Sequence, residues 1–285
     1  MSADLDLPAL FDAGSIASWL EAWIEVEHSS ALTVRVPAEA EVRPIGAALL
    51  AAAVAARGER GLSTRVFAED PNGRAWAYLQ RIAFFAELRA EIDGVSERPA
   101  EYGVHAPLLR LRDMAAARVQ AEALAACIER DLPELAPSPA RMARFVMEEL
   151  GANIVQHSAR ASTGFGTAQA WKQPSGFELA FADAGVGFLA SLQRHPDLLG
   201  RIANEAEALQ LALAPGITGG TDPRRNMGMG LKLLASFADH LGGELWLGSG
   251  DAVLVRRSTV SGQRVTTVRA TPRWQGAWVC LSARY

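Results

Sequence analysis

The chain has 285 residues, 49% hydrophobic and 21% charged, with 28 Lys and Arg against 32 Asp and Glu for a net charge of −4. That apolar content excludes disorder throughout, and the mild acidity excludes a dedicated nucleic-acid binder, which needs clustered Lys and Arg for counterion release. Cys127 and Cys280 make no disulfide framework and match no zinc spacing, and the longest apolar run, 45–56, is too short to span a bilayer.

The opening MSADLDLPAL lacks the charged-then-apolar plan of a signal peptide, so a soluble, cytoplasmic protein is expected. Residues 15–25 carry apolar side chains at helical spacing, with Ser15 available as a cap. Leu32 to Val36 alternates like a strand, and Pro44 to Ala56 reads as a buried helix with proline in its first turn. Ser63 to Ala68 is a second strand, and Arg74 to Phe85 a second helix after the turn Pro71, Asn72, Gly73. This β-α-β-α order predicts a small α/β domain over 1–104, with the boundary in the turn-rich stretch 86–104.

The second half, 105–285, opens with a strand at 108–112 and a helix from Asp113 to Arg130. Ser138 and Pro139 then start a second long helix, reaching about Ser158. Strands follow at 167–172 and 177–181. A glycine-rich turn, a helical insert at 198–214 and a second glycine-rich stretch at 216–230 come next. A helix at 231–241 leads into strands at 244–247, 252–256, 264–271 and 277–283. Helices interleaved with hairpin-linked strands predict an α/β sandwich, one helical layer on a mixed sheet.

Three segments carry chemistry. In RFVMEELGANIVQHS, residues 144–158, Glu149, Asn153 and His157 lie four apart on one helical face, beside an apolar stripe of Val146, Leu150 and Ile154. Asn153 and Gly151 both weaken a helix, which suggests a polar pocket against that face; an exposed polar face is the plain alternative. Next, a strand ends at Asp183 and is followed by Gly185 and Gly187, where a carboxylate can accept a hydrogen bond from an exocyclic amine. An ordinary Asp-Gly turn is the plain alternative. Last, Gly228 and Gly230 run into a helix at Leu231, whose free N–H groups suit phosphate. Upstream lie Thr218, Arg224 and Arg225, a hydroxyl and two cations. A glycine-capped loop–helix junction is the plain reading of that piece.

E-x-x-x-N-x-x-x-H on a helix, then D-x-G-x-G after a strand, then G-x-G-L opening a helix, resembles the GHKL ATP-binding superfamily over roughly 105–285. The resemblance implies a Bergerat-type α/β sandwich that binds ATP with Mg²⁺. It implies that Glu149 positions or activates the nucleophile and that Asn153 ligates magnesium. Asp183 would bind the adenine amine, with Gly185 and Gly187 shaping its pocket. Gly228, Gly230 and Leu231 would bring the helix N-terminus to the phosphates. The segment 189–227 would be the lid, with Thr218, Arg224 and Arg225 contacting phosphate. His157 is read as structural. The chain departs from the family at Gly276-Ala277, where many members place a glycine–threonine pair beside the adenine site.

No phosphoacceptor histidine lies on the helix 113–130, which disfavours a self-phosphorylating histidine kinase. Gyrase and chaperone members follow the ATP domain with a transducer or middle domain, and with the sequence ending at Tyr285 a full DNA or chaperone clamp is not expected. Among the relatives, anti-sigma-type serine kinases are nearest in type. Residues 1–104 resemble a STAS-like domain in element order and in the segment YLQRIAFF, 78–85. No hydroxyl lies in Val36 to Val42, so a docking module is expected there, not a phosphoacceptor. Two functions stand: an enzyme transferring phosphoryl from Mg·ATP to a protein serine or to water, or a non-catalytic, nucleotide-gated module whose lid selects a protein partner. The partner is unidentified, a homodimer is left open, and neither nucleic acid nor membrane is expected.

Overall fold

A computed structural model describes residues 1–89, 92, 105–131, 138–172, 175–214, 230–258 and 263–284. The fold is mixed α/β, with one parallel and one antiparallel main sheet. The first region contains β1 (Ser2–Asp6), β2 (Leu10–Phe11), α1 (Ile16–Val26), β3 (Ala31–Val36), β4 (Glu41–Val42), α2 (Pro44–Glu59), β5 (Ser63–Ala68), α3 (Arg74–Arg81) and α4 (Phe84–Glu87). Its main sheet is parallel in the order β1-β3-β5. Period-two alternation sends Leu32, Val34 and Val36 inward on β3, and Thr64, Val66 and Ala68 inward on β5. β1 was not anticipated, because its two aspartates disfavour a strand. Pairing with β3 overrides that local preference, and Arg35 of β3 salt-bridges Asp4 and Asp6 on the outer face.

The expected single helix 74–85 is broken in two. Ala83 takes a left-handed φ of 63°, and Leu108 donates to the Ile82 carbonyl at 2.7 Å. The redirected chain buries Phe84, Phe85 and Leu88.

The second region has β6 (His105–Arg110), α5 (Met114–Asp131), α6 (Ser138–His157), β7 (Phe165–Lys172), β8 (Ser175–Asp183), α7 (Gly187–Leu192), α8 (Glu205–Ala212), α9 (Gly230–His240), β9 (Glu244–Ser258) and β10 (Arg264–Arg284). Its five strands run β6-β7-β8-β10-β9 and are antiparallel throughout, not mixed, because β7–β8 and β9–β10 are direct hairpins. The strands expected as four short pieces after residue 243 are two long ones. Gly248 lies within a strand, where a Cβ would come 2.0 Å from Trp278, so this glycine makes room for the indole. Of the insert expected at 198–214 only α8 is helical, starting late because the Asn204 side chain caps it, accepting from the Glu207 amide at 2.9 Å. α7 forms ahead of it, in the stretch expected as a glycine-rich turn.

Both faces of this sheet are covered. Phe177, Leu179 and Phe181 of β8 join one core with Val146, Leu150 and Ile154 of α6 and Leu234 of α9. Ala180 and Ala182 join a second core with α1 and α2. The expected single helical layer is thus two layers, and the second core runs without interruption from the first region into the second. α2 explains this. Every residue from Pro44 to Arg57 is buried, since the helix lies between β5 on one side and β7 and β8 on the other. A helix apolar all round must be enclosed on all sides. Among the described residues no helix is long and apolar enough to cross a membrane.

Candidate functional site

α6 carries the polar row. Its apolar stripe is buried as the spacing requires, leaving Glu149, Asn153 and His157 half-buried along the adjoining face. Gly151 has a different cause from a polar pocket: a Cβ there would sit 2.5 Å from the Ala117 Cβ, so the glycine lets α5 and α6 approach. Burial, and then the neighbouring Glu148, hold the Glu149 carboxyl above its ordinary range. Burial, and then Arg194, hold the His157 imidazole below its own. Arg194 also donates to the His157 carbonyl at 3.4 Å, at the C-terminus of α6.

Glu149 lies against the start of α9. A Cβ on Gly230 would come 3.0 Å from Glu149 Oε2, so a side chain at 230 would press on the carboxylate. Leu231 follows, half-buried. Thr218, Arg224, Arg225 and Gly228 lie outside the described residues, as does 215–227 of the expected lid. The preceding part of that lid is folded: Leu192, Ile202 and Ala208 form a small core, and α8 packs on β9.

At the other end of the row, Asp183 closes β8 and is 5% exposed. Its Oδ1 accepts from the Gly185 amide at 2.8 Å, and the Ala277 amide also donates to the carboxylate. Burial still dominates and pushes its pKa up to about 6. Gly185 is pressed against the end of α6, where a Cβ would come 2.2 Å from the Ser158 carbonyl; that carbonyl accepts from Val186 at 3.0 Å. Gly187, with φ of 77°, opens α7, but the next amides are already occupied. Phe188 donates to Ser249 Oγ at 2.8 Å and Leu189 to Glu205 Oε2 at 3.2 Å. The α7 N-terminus is therefore filled by the protein's own side chains, and the start of α9 is the helix end beside Glu149.

The structure thus brings Glu149 to Gly230, and Asp183 and Gly185 to the C-terminal end of α6. Eight residues of helix, about 12 Å, separate these two ends. Ala277 stands directly opposite Asp183 in the β8–β10 register, and its backbone amide donates to the Asp183 carboxylate.

Sequence reasoning missed the groups that hold the Asp183 turn. Trp274 Nε1 donates to the Asp183 carbonyl at 2.9 Å, Arg160 Nη1 to the Ala184 carbonyl at 2.9 Å, and the Ala184 amide to Thr163 Oγ1 at 3.1 Å. Trp274 lies 91 residues from Asp183 along the chain, and no local signal ties the two.

Among the described residues no group of three or more His, Cys, Asp or Glu could hold a metal ion. Among the described residues no side-chain hydrogen bond is made by Asn153 or Glu149, so one amide oxygen and one carboxylate stand on this face without a described partner. That donor set does not suit a protein cage. It suits Mg²⁺, which keeps several waters and is commonly held by one or two protein oxygens together with phosphates. Comparison of the chain with protein-family models, with curated proteins and with solved structures found no match.

Proposed function

We propose that the chain binds Mg·ATP along α6 and transfers its terminal phosphoryl group to a protein serine or to water, as a cytoplasmic signalling protein with a protein partner. One observation carries the reading. A buried carboxylate, Asp183, held by two backbone amides, stands at one end of a half-buried polar row whose other end, Glu149, abuts the first residue of a helix. A dry carboxylate suits the exocyclic amine of adenine, and a helix N-terminus suits phosphate. The stretch of α6 between them has the length scale of a nucleoside triphosphate.

Asn153 would hold the magnesium ion, which neutralises phosphate charge when bound. Glu149 orients the nucleophilic hydroxyl. As the oxygen of that hydroxyl bonds to the γ-phosphorus, the bond from phosphorus to the β–γ bridging oxygen breaks, the proton passes to Glu149 and ADP leaves. A carboxylate raised by burial is a better proton acceptor than an exposed one.

Calorimetry with Mg·ATP on the full chain tests the binding. Saturable heat is expected, and Asp183→Asn should weaken it at least tenfold. Glu149→Gln should keep binding and lower phosphate release or transfer by about a hundredfold or more. Absence of heat refutes the reading. Binding with equal, negligible turnover in wild type and Glu149→Gln supports the nucleotide-gated module instead.

A further inference from the structure

The two peptides that flank Ala184 are each gripped through their carbonyl, and both grips lead back to the first region of the chain. On one side the Asp183 carbonyl accepts from the Trp274 indole at 2.9 Å. Trp274 is 3% exposed, and its ring packs on Trp19 of α1 with centroids 6.3 Å apart. Trp19 in turn packs on Trp23 at 5.4 Å and on Phe11 at 5.0 Å. On the other side the Ala184 carbonyl accepts from Arg160 Nη1 at 2.9 Å. The Arg160 Nε donates to Glu59, the last residue of α2, at 3.0 Å, and Ser162 also hydrogen-bonds that carboxylate. Neither grip is local: Glu59 and Arg160 are 101 residues apart.

We propose that Trp274 and Arg160 are positioning residues through which the α1–α2 layer sets where Asp183 presents its carboxylate, so that this layer regulates the adenine end of the nucleotide site. The proposal rests on the reading of Asp183 as the base-recognising group. Its logic is geometric. The Asp183 carboxylate is held by the Gly185 and Ala277 amides, whose positions follow from the 183–186 backbone and its pairing with β10. A carbonyl that loses its donor on either side lets this turn rotate, and Oδ1 moves with it. A partner that displaces α1 or α2 acts through the same two bonds, without touching nucleotide.

Two chemically different variants test it. Trp274→Phe keeps an aromatic ring against Trp19 and removes the indole N–H. Glu59→Gln changes a half-exposed side chain on the far end of α2 and leaves the fold's core untouched. Each should weaken Mg·ATP about fivefold, the effect of one net hydrogen bond, while leaving Mg·tripolyphosphate unchanged, since that probe has no base. Hydrogen exchange of the Gly185 and Val186 amides, read without any nucleotide, should quicken in both variants. Unchanged exchange in both overturns the proposal, as does equal weakening of ATP and tripolyphosphate. If wild type binds tripolyphosphate as tightly as ATP, base recognition by Asp183 fails separately, and the exchange rates alone decide whether the grip exists.

Discussion

Glu178 offers a test of how the two layers are joined that needs no ligand. It lies on the face of β8 opposite Asp183, 6% exposed, and its Oε1 accepts from the Ile45 amide at 3.2 Å, in the first turn of α2. Burial pushes its carboxyl from the ordinary 4.5 up to about 7; the Ile45 hydrogen bond and Arg43 oppose the rise, and Asp12 adds to it. At 1.36 kcal/mol per decade, that displacement is worth roughly 3 kcal/mol. The folded state holds the proton more tightly than the unfolded state. Its stabilising effect is therefore complete below about pH 4.5 and is lost as pH rises towards 7. Glu178→Gln removes the titration and keeps an oxygen for the Ile45 amide. Wild type and variant should differ by no more than about 1 kcal/mol near pH 4.5, and at pH 8 the variant should gain roughly 2–3 kcal/mol on wild type. Urea unfolding at the two pH values measures this, and groups such as Asp183 that titrate equally in both proteins cancel in the difference. A pH-independent difference would refute the reasoning, because it would mean that the carboxylate is hydrated and the joint between α2 and the sheet is not dry.

Arg57 is fully buried and donates to the carbonyls of Glu27, Ser29 and Ser63 and to Thr64 Oγ1. Arg57→Met should cost about 3–5 kcal/mol in urea unfolding, because it strips three partly buried carbonyls and the buried Thr64 hydroxyl of a charged donor. Gly151→Ala should destabilise by about 1 kcal/mol despite its better helix propensity, since the new methyl meets Ala117. The double variant with Ala117→Gly should recover most of that loss. With Asp183 pushed up to about 6, Mg·ATP affinity should fall by up to about tenfold between pH 7.5 and pH 5, because protonation leaves a weaker acceptor for the adenine amine. Calorimetry on Asp183→Asn should lack that component.

Glu149, Asn153 and the Asp183 turn were legible in the sequence because each sits within one helix or one strand end, where spacing alone decides which residues share a face. The helix break at Ala83 was hidden because its cause is the Leu108 amide bonding to the Ile82 carbonyl, a contact made across 26 residues. β1 was hidden because its pairing with Arg35 and its neighbours outweighs its own composition. For α2, the all-round apolar pattern announced burial but not by what. A buried helix between two sheets reads the same as one inside a bundle, since periodicity records how many faces are covered and not which elements cover them.

β8 draws these observations together. It carries two buried carboxylates five residues apart, and an odd separation on a strand sends them to opposite faces. Each is held by backbone amides, Glu178 by Ile45 and Asp183 by Gly185 and Ala277, and in both burial outweighs the hydrogen bonds. A chain selected for stability alone would place apolar side chains at both positions, so each charge needs a separate reason. For Glu178 that reason is internal: the first turn of α2 presents unpaired N–H groups inside a core, and a carboxylate on the facing strand meets one of them. Asp183 has no buried helix to cap. It faces the α6 side, at the end of the polar row, and under the proposed function its remaining acceptor capacity serves the adenine amine. On that reading the same strand carries on one face a carboxylate completed by folding and on the other a carboxylate that recognises a ligand.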